Sequence, residues 1–250
     1  MPMKKLDHDA AAWEKIARDE PYFAVLSDGD DRSVESSRIA NDAFFKTGED
    51  DISALFAAVT TLFRREVRLE SVLDFGCGAG RLTLPLARRA GHVLAVDIAP
   101  TILSHARQNA ERARLGNISF SLYDDIVATA GPSFDFICSL LVFQYIPPSV
   151  GYALIRSLTT LLRSDGIAAL QLRLHEGNRL HRLTSLARRQ RGSGYDSGVS
   201  VAERAPLARR YRYDERLVAR AVEKAGGSVV SLLPAHDRRT DGAVLIIRKC

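Results

Sequence analysis

Three glycines at alternate positions, Gly76, Gly78 and Gly80, follow the apolar run 72–75 and precede a helical pattern that starts at Arg81. Glycine lacks a Cβ, so the backbone of such a turn can approach a ligand closely while the free N–H groups of the helix start point outward. The dinucleotide fingerprint G-x-G-x-x-G would place its third glycine at 81, where Arg81 stands, and glycine comes one residue earlier. Asp74, two residues before the first glycine, stands where the amino group of an amino-acid-like ligand can be met. A second acid, Asp97, ends the run 93–96, 21 residues after Gly76, and can accept both hydroxyls of a ribose. Alone, Asp97 would read as the cap of a helix opened by Pro100; behind this glycine turn, ribose is the stronger reading.

Acid–base groups are few. His175, at the expected carboxyl end of the fifth strand, is the best-placed imidazole on the rim where open α/β sheets bind ligands. Tyr145 can orient a hydroxyl, although an unperturbed phenol titrates near pH 10 and is a poor base at neutrality. The cysteines Cys77, Cys138 and Cys250 show neither CxxC nor Cys/His spacing, which argues against a zinc site or a disulfide framework. The lack of a disulfide framework points to the cytoplasm, as does the absence of any run of about 18 apolar residues.

These groups need a scaffold, and short apolar runs alternating with helical ones supply it. Strands are predicted at 72–75, 93–96, 118–122, 134–139, 167–174, 229–233 and 243–247, with helices at 50–65, 81–90, 100–114, 149–163 and 214–225. The helix at 50–65 has Asp50 and Asp51 at its expected start. The alternation predicts an α/β fold with about seven strands, mostly parallel and covered by helices on both faces. Residues 173–212 break the rhythm as an Arg-rich insertion after the fifth strand.

The net charge of +5 is uneven, since residues 1–60 carry 13 acidic and 7 basic groups whereas 173–220 carry 12 arginines and 5 acids. A local cationic block speaks of one surface, not of a basic protein as a whole.

The chain resembles the class I S-adenosylmethionine-dependent methyltransferases through LDFGCGAGRLTLPLA, VLAVDIAP, ISFSLYDDI, FDFICSLLVFQYI, LRSDGIAALQL and YDERLVARAVEKAGGSVV. The resemblance implies a Rossmann-like domain over 66–250. A looser one, through DEPYFAVLSD and FFKTGEDDI, to bacterial methyltransferases of polysaccharide and natural-product gene sets implies a helical N-terminal lid over 1–65. There Tyr22 and Glu49 would be either cofactor contacts or packing and capping residues. The first resemblance implies S-adenosyl-L-methionine as cofactor and S-adenosyl-L-homocysteine as product. Asp74, Gly76, Cys77, Gly78, Gly80 and Arg81 would surround the methionine part, Asp97 would hold the ribose, and Ile98 would face the adenine. Asp124, Asp125 and Ile126 would form the adenine edge, while Ser139, Leu140 and Gln144 would line the methionine side. Tyr145 replaces a histidine found in many relatives, which puts a base at that position in doubt and leaves His175 for the role.

No NPPY or DPPY follows the fourth strand, which disfavours amino-group methylation in that manner, and no carboxylate set suggests a catechol-type metal site. The expected reaction is metal-free methyl transfer, at oxygen rather than nitrogen, to a small molecule or saccharide. The arginines point to an anionic acceptor and could equally form a solvated face. RNA and amines remain alternatives, as do a non-catalytic cofactor-binding protein and a nicotinamide-dependent oxidoreductase; a homodimer is compatible with the sequence.

Overall fold

The computed structural model describes residues 6–19, 34–67, 69–123, 134–175, 210–235 and 242–250. Two helices, α1 (Leu6–Asp19) and α2 (Val34–Phe63), precede the strand β1 (Ser71–Phe75). There follow α3 (Thr83–Ala87), β2 (His92–Asp97), α4 (Pro100–Arg112), β3 (Ile118–Leu122) and β4 (Phe134–Ser139). The chain closes with α5 (Pro148–Leu161), β5 (Leu162–Arg173), α6 (Glu215–Glu223), β6 (Gly227–Pro234) and β7 (Gly242–Lys249). The seven strands form one sheet in the order β3-β2-β1-β4-β5-β7-β6, in which only β7 runs against its neighbours.

The period of two along each strand divides the core. Val72, Val93, Phe136, Cys138, Ile167, Ala169, Val244 and Ile246 face Ile52, Leu55 and Val59 of α2 and Leu86 of α3. Leu73, Phe75, Ile137, Ala168, Leu170, Leu245 and Ile247 face Val150, Leu154 and Leu158 of α5 and Val218 and Val222 of α6. Each fully buried aliphatic side chain contributes roughly 1.5–3 kcal/mol, which is why β1, β4 and β7 read as nearly unbroken apolar runs. Among the described residues no helix is long and apolar enough to cross a membrane.

Three elements depart most from their predicted bounds. Asp50 and Asp51 do not cap a helix, because α2 begins 16 residues earlier, at Val34, and runs through them. The helix after the glycine turn is only Thr83–Ala87. The fifth strand starts at Leu162, but Leu162 pairs with Phe134 and Ile167 with Phe136, so 163–166 bulge out, with Asp165 at φ +62°. Asp214, by contrast, caps α6 as its side chain accepts from the N–H groups of Arg216 and Leu217.

The insertion's two ends meet at the sheet's carboxyl rim. Tyr213 forms a parallel bridge with Leu174, its N–H donates to Arg173 O, and its buried hydroxyl lies 2.7 Å from Ile146 O and 3.1 Å from Phe143 O. The residues from 176 to 209, with most of the arginines singled out above, lie outside the described residues, as do Tyr22, Asp124, Asp125 and Ile126.

One carboxyl is buried within this core beneath the glycine turn. Asp74 is 1% exposed and accepts from Thr83 Oγ1 at 2.6 Å, and burial pushes its pKa up to about 6. The native state therefore keeps a proton between about pH 4 and 6 that the unfolded chain has lost. That contribution is complete below pH 4 and is lost as pH rises through 6, by on the order of 3 kcal/mol. Asp74→Asn removes this dependence, so its stability relative to wild type should rise by a comparable amount between pH 4 and pH 7.5. Urea unfolding at the two pH values checks this, and a constant difference would show that Asp74 does not hold the proton.

Candidate functional site

Gly76, Gly78 and Gly80 all adopt left-handed backbone, at φ +78°, +54° and +96°, which L-residues with a Cβ rarely enter. The turn is tied to the end of β2: the N–H groups of Gly76 and Cys77 donate to Val96 O at 2.8 and 2.9 Å, and Gly78 N–H donates to Asp97 Oδ2 at 2.9 Å. Gly80 N–H closes the turn onto Cys77 O. A Cβ on Gly76 would lie 2.4 Å from Val142 Cγ2, so packing closes that side, whereas a Cβ on Gly78 would meet nothing within 4 Å among the described residues. The turn thus presents its open side at Gly78.

Asp97 shapes the neighbouring edge. Its carboxylate accepts from the N–H groups of Gly78, Ile98 and Ala99, leaving about one of its roughly four acceptor sites. Burial raises its pKa and these hydrogen bonds oppose the rise. Ala99, not Asp97, is the N-cap of α4, with Pro100 in the first turn. Ile98 and Ala99 pack with Ala79, Ile102, Phe44 of α2 and Trp13 and Ala17 of α1. Glu14 of α1 accepts from both the N–H and the hydroxyl of Thr101. The first helix therefore lies against the start of α4, beside Ile98.

Asp74, Cys77 and Arg81 do not reach the open side. Asp74 is committed to Thr83. The Cys77 thiol is buried, with its pKa pushed well up by desolvation, and lies 3.5 Å from Gly78 O. Arg81 is 6% exposed and turns away from the glycines, donating to Asp51 Oδ2 at 2.5 Å. Glu49 accepts from Arg88 and Arg89.

The segment after β4 forms the opposite wall. Ser139 Oγ, fully buried, donates to Phe75 O at 2.9 Å and joins the ends of β4 and β1. Leu140 packs among the apolar residues below α2. Leu141 takes φ +65°, a strained conformation for leucine, with its N–H held by Gln171 Oε1 and its carbonyl by Gln144 Nε2. Gln144 Oε1 is buried and has no hydrogen-bond partner among the described residues. Tyr145 ends the 3-10 turn Phe143–Tyr145 and meets Trp13 edge-on, ring centroids 5.1 Å apart. His175 is exposed one residue beyond the Leu174–Tyr213 bridge, its N–H donated to Tyr213 O.

Sequence reasoning missed Thr83, Gln171, Tyr213, Trp13 and Asp51. Each acts across at least nine residues; only Thr83, inside the stretch LDFGCGAGRLTLPLA, carried a local signal, as the first hydroxyl after the turn.

Residues 72–166 match the family model described as a methyltransferase domain. A 23S rRNA (uracil(1939)-C(5))-methyltransferase of Klebsiella pneumoniae is 42% identical over 64 residues, 24% of this chain and 15% of that protein. The magnesium-protoporphyrin O-methyltransferase of Rhodobacter capsulatus is 34% identical over 84 residues, 33% of this chain and 37% of that one. The chain thus spans well under half of the length of these relatives. Among solved structures, the magnesium protoporphyrin IX methyltransferase of Synechocystis PCC 6803, crystallised with S-adenosylhomocysteine, aligns over 98% of this chain and 99% of its own at 20% identity and a TM-score of 0.64. A 1,6-didemethyltoxoflavin-N1-methyltransferase of Burkholderia thailandensis aligns over 100% of this chain and 90% of its own at 17% identity and a TM-score of 0.59. Sheet order and glycine turn give the chain the fold of these solved methyltransferases, and residues 72–166 match the methyltransferase domain model.

Proposed function

We propose that the chain transfers a methyl group from S-adenosylmethionine to the oxygen of a small, anionic acceptor. The observation that carries this reading is the glycine turn itself, with three left-handed residues, an open side at Gly78 and the Asp97 carboxylate beside it. That arrangement fits the cofactor: Asp97 retains acceptor capacity for ribose hydroxyls, Ile98 offers an apolar face for adenine, and Gly78 leaves room at the turn. When bound, S-adenosylmethionine supplies an electrophilic methyl group on a sulfonium, and the protein's task is chiefly alignment and exclusion of water. Asp124, Asp125 and Ile126, directly after the β3 end, are proposed to complete the adenine edge, with Ser139, Leu140 and Gln144 behind the methionine side.

The acceptor enters this reading from the rim. Arg173, Arg210, Arg212 and His175 lie at the carboxyl edge of β5 and on the returning segment, and Arg212 Nη1 donates to Leu174 O at 2.9 Å. Planar guanidinium groups suit a carboxylate or phosphate. His175 would take the hydroxyl proton, with Tyr145 orienting the acceptor. The relatives named as magnesium-protoporphyrin and ubiquinone biosynthesis O-methyltransferases support a small-molecule oxygen acceptor. RNA is a second reading, favoured by the rRNA methyltransferase relative, although its similarity spans only 24% of this chain.

A screen with labelled methyl donor over phenols, carboxylates, sugars, amines and RNA tests the acceptor class. Label should pass to a small anionic hydroxy compound with little dependence on salt; labelled RNA with steep salt dependence would select the second reading. With the acceptor found, His175→Ala should lower turnover about 100-fold at neutral pH without changing the affinity for S-adenosylhomocysteine. Unaltered turnover would remove His175 from the reaction.

A further inference from the structure

The N-terminal segment 1–65 was expected to be a lid over the cofactor. The contacts of α2 are of a different kind. Gly48, in the middle of this 30-residue helix, faces the end of the glycine turn so closely that a Cβ there would lie 2.0 Å from Arg81 O and 2.8 Å from Arg81 C. Glycine inside a helix costs about 1 kcal/mol relative to alanine, and here it lets two backbones touch. One turn later Asp51 accepts from Arg81 Nη1 at 2.5 Å, and Thr47 Oγ1 lies 3.5 Å from the same atom. The Arg81 side chain is 8% exposed and that of Asp51 25%, so the pair is largely shielded from water.

Arg81 directly follows Gly80, whose φ of +96° sets the exit of the turn, and Leu84 N–H donates to Gly80 O where α3 begins. A force on Arg81 therefore reaches the turn through a single peptide. Val142 fills the inner side at Gly76, Asp97 holds Gly78 and Asn109 of α4 donates to Ala79 O at 3.0 Å, while α2 supports the end where the turn becomes a helix. Below this contact Ile52, Leu55 and Val59 anchor α2 to the sheet, which makes the support rigid.

We infer that Gly48 and Asp51 are positioning residues of the cofactor turn, acting through the Arg81 peptide and guanidinium, so that α2 is a fixed part of the cofactor site. This rests on the proposed cofactor. It adds two residues, 25 or more positions ahead of the first glycine, that touch no ligand and still set its affinity.

The test is calorimetric titration of the full-length protein with S-adenosylhomocysteine at 10 °C, well below unfolding, where a loss of fold stability alone leaves the dissociation constant unmoved. Asp51→Asn, which keeps the size and removes the charge, should weaken binding about tenfold. Gly48→Ala, which pushes the helix off the turn, should do at least as much. The exchanged pair Asp51→Arg with Arg81→Asp should recover affinity to within about threefold. Asp50→Asn is the control: its carboxylate is exposed and paired with Lys46, and its affinity should stay within twofold. Affinities within twofold of wild type for both Asp51→Asn and Gly48→Ala would overturn the inference and leave the cofactor assignment standing. A wild-type protein that binds no S-adenosylhomocysteine would overturn the cofactor assignment itself, and this inference with it.

Discussion

The turn after β1 has to pass through left-handed backbone three times within five residues, and its N–H groups must be satisfied before any ligand arrives. Both demands are met by the end of β2, where Val96 O accepts two N–H groups and the Asp97 carboxylate a third. This requires β2 to lie parallel to β1 and in register, Phe75 beside Val96, so that Asp97 arrives next to Gly78. The strand order around β1 follows the same demand: on its other side β4 ends at Ser139, which bonds Phe75 O, and the chain then places Val142 against Gly76. The sheet acts as a jig for one short piece of backbone.

Charge is distributed to serve that piece. The acidic excess of the N-terminal 60 residues includes Glu49 and Asp51, which meet Arg81, Arg88 and Arg89 just beyond the turn. The exposed members of this network are worth little individually. The shielded Asp51–Arg81 pair behaves differently, because removing one partner strands the other in a poorly solvated place. Asp74 shows the opposite solution, a carboxyl kept beneath the turn with a hydroxyl partner and a raised pKa, so that no uncompensated charge sits under a ligand site at mildly acidic pH. Of the cationic segment, the described Arg173, Arg210 and Arg212 stand near the carboxyl end of β5.

Local signals carried most of the fold. β3 and β4 are apolar runs bracketed by polar turns, and their observed ends coincide with the predicted ones; Pro100 and Asp214 mark helix starts in the way their chemistry demands. Asp50 and Asp51 misled, because aspartate looks like helix punctuation; inside the continuous helix Asp51 meets Arg81 and Asp50 pairs with Lys46. Asp97 and the three glycines were legible because their spacing encodes the strand–turn–helix itself. Gln171 holding Leu141, Tyr213 holding the 3-10 turn and Trp13 against Tyr145 were not, since each joins segments at least 30 residues apart and none belongs to a local pattern. The direction of Arg81 was hidden for the same reason: its place beside the glycines suggested a ligand contact, and its partner lies in α2.

The central claim is that this turn and Asp97 hold an S-adenosyl group and not a nicotinamide dinucleotide. Titration calorimetry of the full-length protein with S-adenosylhomocysteine and, separately, with NADH tests it most directly. Saturable binding of one S-adenosylhomocysteine per chain, with no heat from NADH at the same concentrations, is the predicted result. Binding of NADH with none of S-adenosylhomocysteine would contradict it.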